Sequence, residues 1–218
     1  MMDRLAEVEE RIQGAARRAG RRREEITLVA ITKVFPASVI REAYALGLRD
    51  FGENYVQEFE SKAGELADLA GARFHFVGHL QSNKVRRAVE LFQIIQTIDS
   101  PKLAALIAAT GASVEVMLEV KIGDEASKSG IAPDGLGALI DSVRAYPNLR
   151  LAGLMTMPPW TDSAEDSRPY FRQLRSLARQ HGLSALSMGT SYDFEAAIEE
   201  GATHIRVGSA LFGPRRNA

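Results

Sequence analysis

The chain has 218 residues, 27 lysines and arginines against 28 aspartates and glutamates, and no cysteine. Near-neutral charge gives no global pull toward nucleic acid or anionic lipid, and the absence of cysteine excludes disulfides, thiolate metal sites and a cysteine nucleophile. A hydrophobic content of 45% beside 25% charged residues describes an ordinary globular protein, with no apolar run near the roughly 20 residues of a membrane-spanning helix.

The first element is an amphipathic helix. Leu5, Val8, Ile12, Ala15 and Ala19 recur at steps of three and four up to Gly20. Its start, MMDRLAEVEE, is charged and lacks an apolar segment, so no secretory leader is expected and a reducing, cytoplasmic setting suits the composition. Arg17, Arg18, Arg21, Arg22 and Arg23 close the helix. With no aromatic residues interleaved, they read as cations favoured at a helix C-terminus and in a solvated turn, not as a nucleic-acid patch.

Short apolar strands then alternate with helical stretches. Strands are predicted at Ile26–Thr32, Arg49–Gly52, Phe74–Gly78, Ile94–Ile98, Val114–Val120, Leu151–Leu154, Leu186–Met188 and His204–Val207. Helical patterns fall at Pro36–Leu46, Asn83–Phe92, Lys102–Ala109, Pro133–Tyr146, Ser167–His181 and Phe194–Glu199. Eight strand–helix units predict an α/β protein, a closed parallel (β/α)8 TIM barrel, with an open doubly wound sheet as the runner-up. The first strand–helix turn, Lys33-Val34-Phe35-Pro36, lacks the glycine-rich dinucleotide fingerprint such an open sheet would carry. No linker divides the chain, so residues 1–218 are read as one domain, with residues 1–20 packed on the barrel as an extra helix.

Barrels of this kind act at the C-terminal ends of their strands and often bind phosphate in the loops after strands seven and eight. Here those loops read Ser187-Met188-Gly189-Thr190-Ser191 and Arg206-Val207-Gly208-Ser209, each leading into a helix. Small residues, a hydroxyl and backbone N–H groups suit an anion, although glycines also serve tight turns. On the first strand, alternation puts Val29, Ile31 and Lys33 on one face. If that face is interior, Lys33 stands at the rim as a candidate Schiff-base nucleophile; otherwise it is a lysine snorkelling at a strand end. On strand eight the same logic turns Arg206 inward, to meet either a carboxylate or a pyridine nitrogen. Arginine does not give up its proton, so a pyridine facing it stays unprotonated and is a weak electron sink.

Lys33, Ser191, Arg206 and Gly208, with the segments LVAITK, FGENYVQE, FHFVGHLQSNK, EASKSG, GLMTM and LSMGTSYDFEAAIEEGATHIRVGSALFG, give the chain a resemblance to the pyridoxal phosphate homeostasis proteins. Their barrel is similar to the N-terminal domain of alanine racemase, the architecture of fold-type III pyridoxal 5′-phosphate (PLP) proteins. The resemblance implies PLP held by Lys33 as a covalent aldimine, with Ser191, Gly208 and Ser209 on its phosphate and Arg206 on its ring nitrogen. It also implies Asn54 near the ring, and Met155 and His79 lining the pocket. From position alone, Asn54 reads equally as a turn residue, His79 as a satisfied core histidine and Met155 as interior packing. Three positions depart from the family pattern: Phe35 where a second lysine is common, Thr190 for methionine and Lys121 for asparagine. Lys128 in the EASKSG loop reads as a solvent-facing lysine.

The function this implies is vitamin B6 homeostasis: a non-catalytic PLP carrier, expected to be monomeric, serving PLP-dependent apoenzymes as recipients. A PLP-dependent amino-acid racemase is the alternative. It would require a second acid/base group opposite Lys33, and neither Tyr55 nor Tyr192 is fixed there by sequence. A Schiff-base aldolase is a third reading, with no need of an inward arginine.

Overall fold

The computed structural model describes residues 1–123, 129–160 and 162–214. Its strands are β1 (Thr27–Ile31), β2 (Asp50–Glu53), β3 (Arg73–Phe76), β4 (Ile94–Ile98), β5 (Val114–Glu119), β6 (Leu149–Met155), β7 (Ala185–Thr190) and β8 (His204–Val207). They close in sequence order into a barrel in which every neighbouring pair, β1 with β8 included, is parallel. The open sheet is thereby excluded, because closure leaves no sheet edge. Around the barrel run α1 (Met2–Arg18), α2 (Ala37–Ala45), α3 (Val56–Ala63), α4 (Val85–Leu91), α5 (Pro101–Ala108), α6 (Leu136–Arg144), α7 (Arg168–Gln180), α8 (Phe194–Glu199) and the single turn α9 (Ser209–Phe212). The α3 helix was not among the predicted stretches. Its apolar positions, Val56 and Phe59, are few, and its polar face carries chemistry described below.

Two populations of buried side chains follow from the strand period. Leu28, Ala30, Phe51, Val116, Leu118, Ile205 and Val207 belong to the shell between strands and helices. Val29, Ile94, Met117 and Met155 are equally buried but stand apart from that shell, inside the barrel. The predicted faces of β1 and β8 are therefore as observed. In β6 the alternation slips: a register shift against β5 between Val116 and Met117 leaves Leu151 against the outer shell, while Met155 belongs to the interior.

The arginine cluster after α1 resolves into anchors. Arg18 pairs with Glu199 at 2.6 Å, Arg23 with Glu9 at 2.7 Å, and Arg21 donates to the carbonyls of Ile198 and Ala202 at 3.0 and 2.7 Å. The Arg18 and Arg21 bonds tie α1 and its turn to the C-terminal end of α8 and the residues just after it, where a helix end attracts cations, and Arg23 ties the turn back to α1. Among the described residues, no helix is long and apolar enough to cross a membrane.

Candidate functional site

A cavity of about 480 Å³ opens at the C-terminal end of the strands, within the range of small-molecule sites. Its wall includes Lys33, Asn54, Ser191, Arg206, Gly208 and Ser209, so six of the eight residues singled out from sequence converge there. Lys33 enters from the turn after β1, beside Ile31, as the inward face of that strand requires.

The two remaining residues lie elsewhere. Met155 is fully buried, in register with Ser187, and does not line the cavity; Met157 does, two residues on, with its sulfur 2.8 Å from Arg206 Nη2. The strand ends at Met155, and Thr156 turns its hydroxyl into the Val120 carbonyl at 2.8 Å, leaving Met157 to reach the rim. His79 is 61% exposed and lines a neighbouring cavity that shares Asn54 with the first. It is no core histidine: its Nδ1 lies 3.4 Å from Ser129 Oγ and 3.9 Å from Asp99. Phe35, where a second lysine was a family option, packs on Phe212 at 5.2 Å between ring centroids. Lys128 falls outside the described residues.

The phosphate-type loops are joined by Ser191. Its Oγ accepts from the backbone N–H of Gly208 at 3.0 Å and of Ala210 at 3.2 Å. A hydroxyl with both acceptor positions engaged still has one proton to donate, and the bonds lock the two loops in register. Thr190 is held by Asp193, which accepts from its N–H at 2.7 Å and its hydroxyl at 3.0 Å.

Arg206 is buried at the cavity floor. It donates to Ser187 Oγ at 2.7 Å and to the Thr156 carbonyl at 2.9 Å, besides the Met157 sulfur. Burial pulls its pKa down to about 10, against the favourable fields of Asp193 and Glu119, and it remains a cation at neutral pH. Below it a polar chain crosses an interior that such barrels usually fill with branched apolar side chains. Ser187 Oγ donates to Gln96 Oε1 at 2.6 Å, Gln96 Nε2 meets His75 Nδ1 at 2.9 Å, and His75 Nε2 meets Asp50 Oδ1 at 2.8 Å. Arg73 closes the far end on Asp50 at 2.7 Å. Burial lowers the His75 pKa despite Asp50, so the ring is neutral; since a carboxylate can only accept, the ring proton belongs on Nε2. Sequence reading missed these residues, although His75 in Phe-His-Phe and Gln96 in Ile-Ile-Gln-Thr-Ile are polar interruptions of buried strands.

A closed eight-stranded barrel with a lysine, an arginine and two hydroxyl-bearing loops at one cavity defines a class, and the comparisons identify it. The alanine racemase N-terminal domain family matches residues 4–216. A pyridoxal phosphate homeostasis protein of Pseudomonas aeruginosa is 46% identical, over 97% of this chain and 94% of its own. The structure of PipY from Synechococcus elongatus without PLP superposes with a TM-score of 0.86 at 38% identity, covering 97% of this chain and 99% of that one. PipY with PLP bound gives 0.82 at 39% identity, over 94% and 100% of the two chains. The chain belongs to the pyridoxal phosphate homeostasis protein family.

Proposed function

We propose that this chain binds PLP in the cavity at the strand ends and serves intracellular vitamin B6 homeostasis, holding the cofactor without committing it to a reaction. The observation that carries this reading is the convergence of Lys33, Arg206 and the Ser191 and Gly208–Ser209 loops on one cavity wall. The donor set fits the cofactor. An amine, an amide, a buried cation and hydroxyl-bearing loops match an aldehyde, a ring with its substituents, a pyridine nitrogen and a phosphate.

PLP supplies an aldehyde that condenses with a lysine amine to a C=N bond and water. Lys33, on the cavity wall, would be the amine that holds the cofactor, and the reversibility of that bond would leave it available to apoenzymes. Ser191, Gly208 and Ser209 hold the phosphate, Asn54 lies near the ring and Arg206 faces the pyridine nitrogen. Because Arg206 keeps its proton, that nitrogen accepts a hydrogen bond without becoming charged, and the ring withdraws electrons weakly. A racemase would also need an acid/base group opposite Lys33. Tyr192, on the cavity wall, donates its hydroxyl to the Asp162 carbonyl at 2.5 Å, and Tyr55 lines the neighbouring cavity instead. The carrier reading takes residues 1–218 as one PLP-binding unit acting as a cytoplasmic monomer.

Borohydride reduction of the PLP-loaded protein followed by peptide mapping tests the proposal. Label on Lys33, and a colourless Lys33→Ala protein beside yellow wild type, are the expected results. A wild-type protein that takes up no PLP refutes the binding site, and alanine racemisation at about 1 per second or faster refutes the carrier role.

A further inference from the structure

Lys33 is the second residue of a four-residue turn, Thr32–Phe35, closed by the Phe35 N–H to the Thr32 carbonyl at 3.1 Å. The third residue, Val34, has φ of +64° and is the only non-glycine with positive φ among the described residues. That is where a type II turn takes glycine or asparagine, and a β-branched side chain is strained there. Val34 is 57% exposed, so core burial does not compensate the strain. Such a conformation persists only where its surroundings impose it, and strain of this kind gathers at functional sites.

The surroundings are two side chains of α3. Glu58 Oε1 accepts the Val34 N–H at 2.7 Å. Lys62, only 6% exposed, donates to the carbonyls of Thr32 at 3.1 Å and Phe35 at 2.9 Å, the two ends of the turn. The pair is one helical turn apart and bonded at 2.9 Å. Beneath it Glu53, fully buried on β2, forms an ion pair with Lys62 at 2.8 Å and accepts from the Thr32 hydroxyl at 2.7 Å. The other Glu53 oxygen, Oε2, is buried without a hydrogen-bond partner. A buried, incompletely satisfied ionic cluster is a poor source of stability, since apolar residues of like volume serve as well or better. Every bond it makes toward β1 ends on the residues flanking Lys33.

We propose that Glu58 and Lys62 are positioning residues for Lys33, clamping the strained turn in the one conformation that presents its amine to the cavity. The inference rests on the proposed role of Lys33 as the PLP amine. Neither residue touches the cavity; they act through the backbone.

The test is a cycle of wild type, Glu58→Ala, Val34→Gly and the double variant; Glu58 is chosen because replacing Lys62 would strand a buried carboxylate. PLP release is followed after dilution, and thermal stability is measured on the cofactor-free proteins. Loss of a hydrogen bond to a charged group should make Glu58→Ala release PLP about tenfold faster. Glycine adopts positive φ without strain, so Val34→Gly should restore most of that loss in the double variant while changing little in wild type. Without cofactor, Val34→Gly should raise the melting temperature more in wild type, where the clamp enforces the strain, than in the Glu58→Ala background, where the turn can already relax. Release at the wild-type rate from Glu58→Ala, no recovery in the double variant, or equal melting shifts in both backgrounds would each overturn the clamp. Should wild type take up no PLP, the proposed function fails, and the cofactor-free cycle still decides whether Glu58 holds the turn.

Discussion

Arg206 and Ser187 meet at 2.7 Å, and this bond heads a chain whose donors all point the same way. Arg206 donates to Ser187, Ser187 to Gln96, Gln96 to His75 and His75 to Asp50. The chain ends at the opposite end of the barrel on Asp50, which also pairs with Arg73, while Asp193 and Glu119 supply the negative field on the guanidinium. Arg206 is oriented by neutral acceptors, and its side chain forms part of the cavity wall.

Breaking the chain should be costly out of proportion to the atoms removed. Ser187→Ala strips a partner from both Arg206 Nη1 and Gln96 Oε1, each buried, for an expected loss of about 1–3 kcal/mol in urea denaturation. PLP should bind more weakly as well, because the guanidinium loses one of its anchors. A loss below about 0.5 kcal/mol, the level of an ordinary surface change, would show that the chain does not orient Arg206.

Two buried groups titrate with opposite sign. Burial, then the nearby His75, pulls His204 down to about 4. Between that value and the 6.5 of an unfolded histidine the unfolded chain binds more protons, so this contribution is full above 6.5 and lost as pH falls toward 4. Glu119 is pushed up to about 7, by burial and then by Asp99. Here the folded chain holds the extra proton between 4.5 and 7, so stability is lost as pH rises through that window. The slopes oppose each other where the windows overlap. Glu119→Gln removes one of them, and its stability relative to wild type should fall by about 1.4 kcal/mol per pH unit on acidification from pH 6.5 to 4.5. Parallel pH profiles of the two proteins, measured by chemical denaturation, would contradict a raised Glu119 pKa.

Gly78 and Gly64 should respond oppositely to alanine. A methyl group on Gly78 would lie 2.1 Å from the Asn54 carbonyl oxygen, so β2 and β3 could not keep their approach below the cavity. Gly78→Ala should cost about 1–3 kcal/mol or more and weaken PLP binding through the displaced Asn54. Gly64 has helical φ of −59° and open space around it. Gly64→Ala should instead stabilise by about 0.5–1 kcal/mol. Thermal unfolding and PLP titration of both variants check the contrast.

The protein carries its own reporter. Trp160 is the sole tryptophan, lies on the cavity wall and stacks on Tyr192 with centroids 4.9 Å apart. PLP absorbs where tryptophan emits, so loading should quench the fluorescence, and Trp160→Phe should abolish the signal while leaving cofactor uptake measurable by absorbance. Undiminished emission from loaded protein would place PLP away from this cavity.

The eight strands, their order and the inward turn of Lys33 and Arg206 were legible in the chain itself, because a period of two and an apolar alternation are properties of neighbouring residues. By position Met155 reads as interior packing, as observed, although a register shift against β5 separates it from Leu151; on the cavity wall Met157 stands where the resemblance implied Met155. His79 lies beyond the end of β3, where strand period no longer dictates direction, and it serves the adjacent cavity.

Tertiary structure alone decided the rest. Ser187 and Gln96 are 91 residues apart and Thr32 and Lys62 are 30, and no local pattern pairs them. A hydrogen bond between distant side chains depends on the shear of the whole barrel and on where each helix returns, to within a few tenths of an ångström. Sequence sets which residues face inward or outward on a strand; closure of the barrel sets which of them meet.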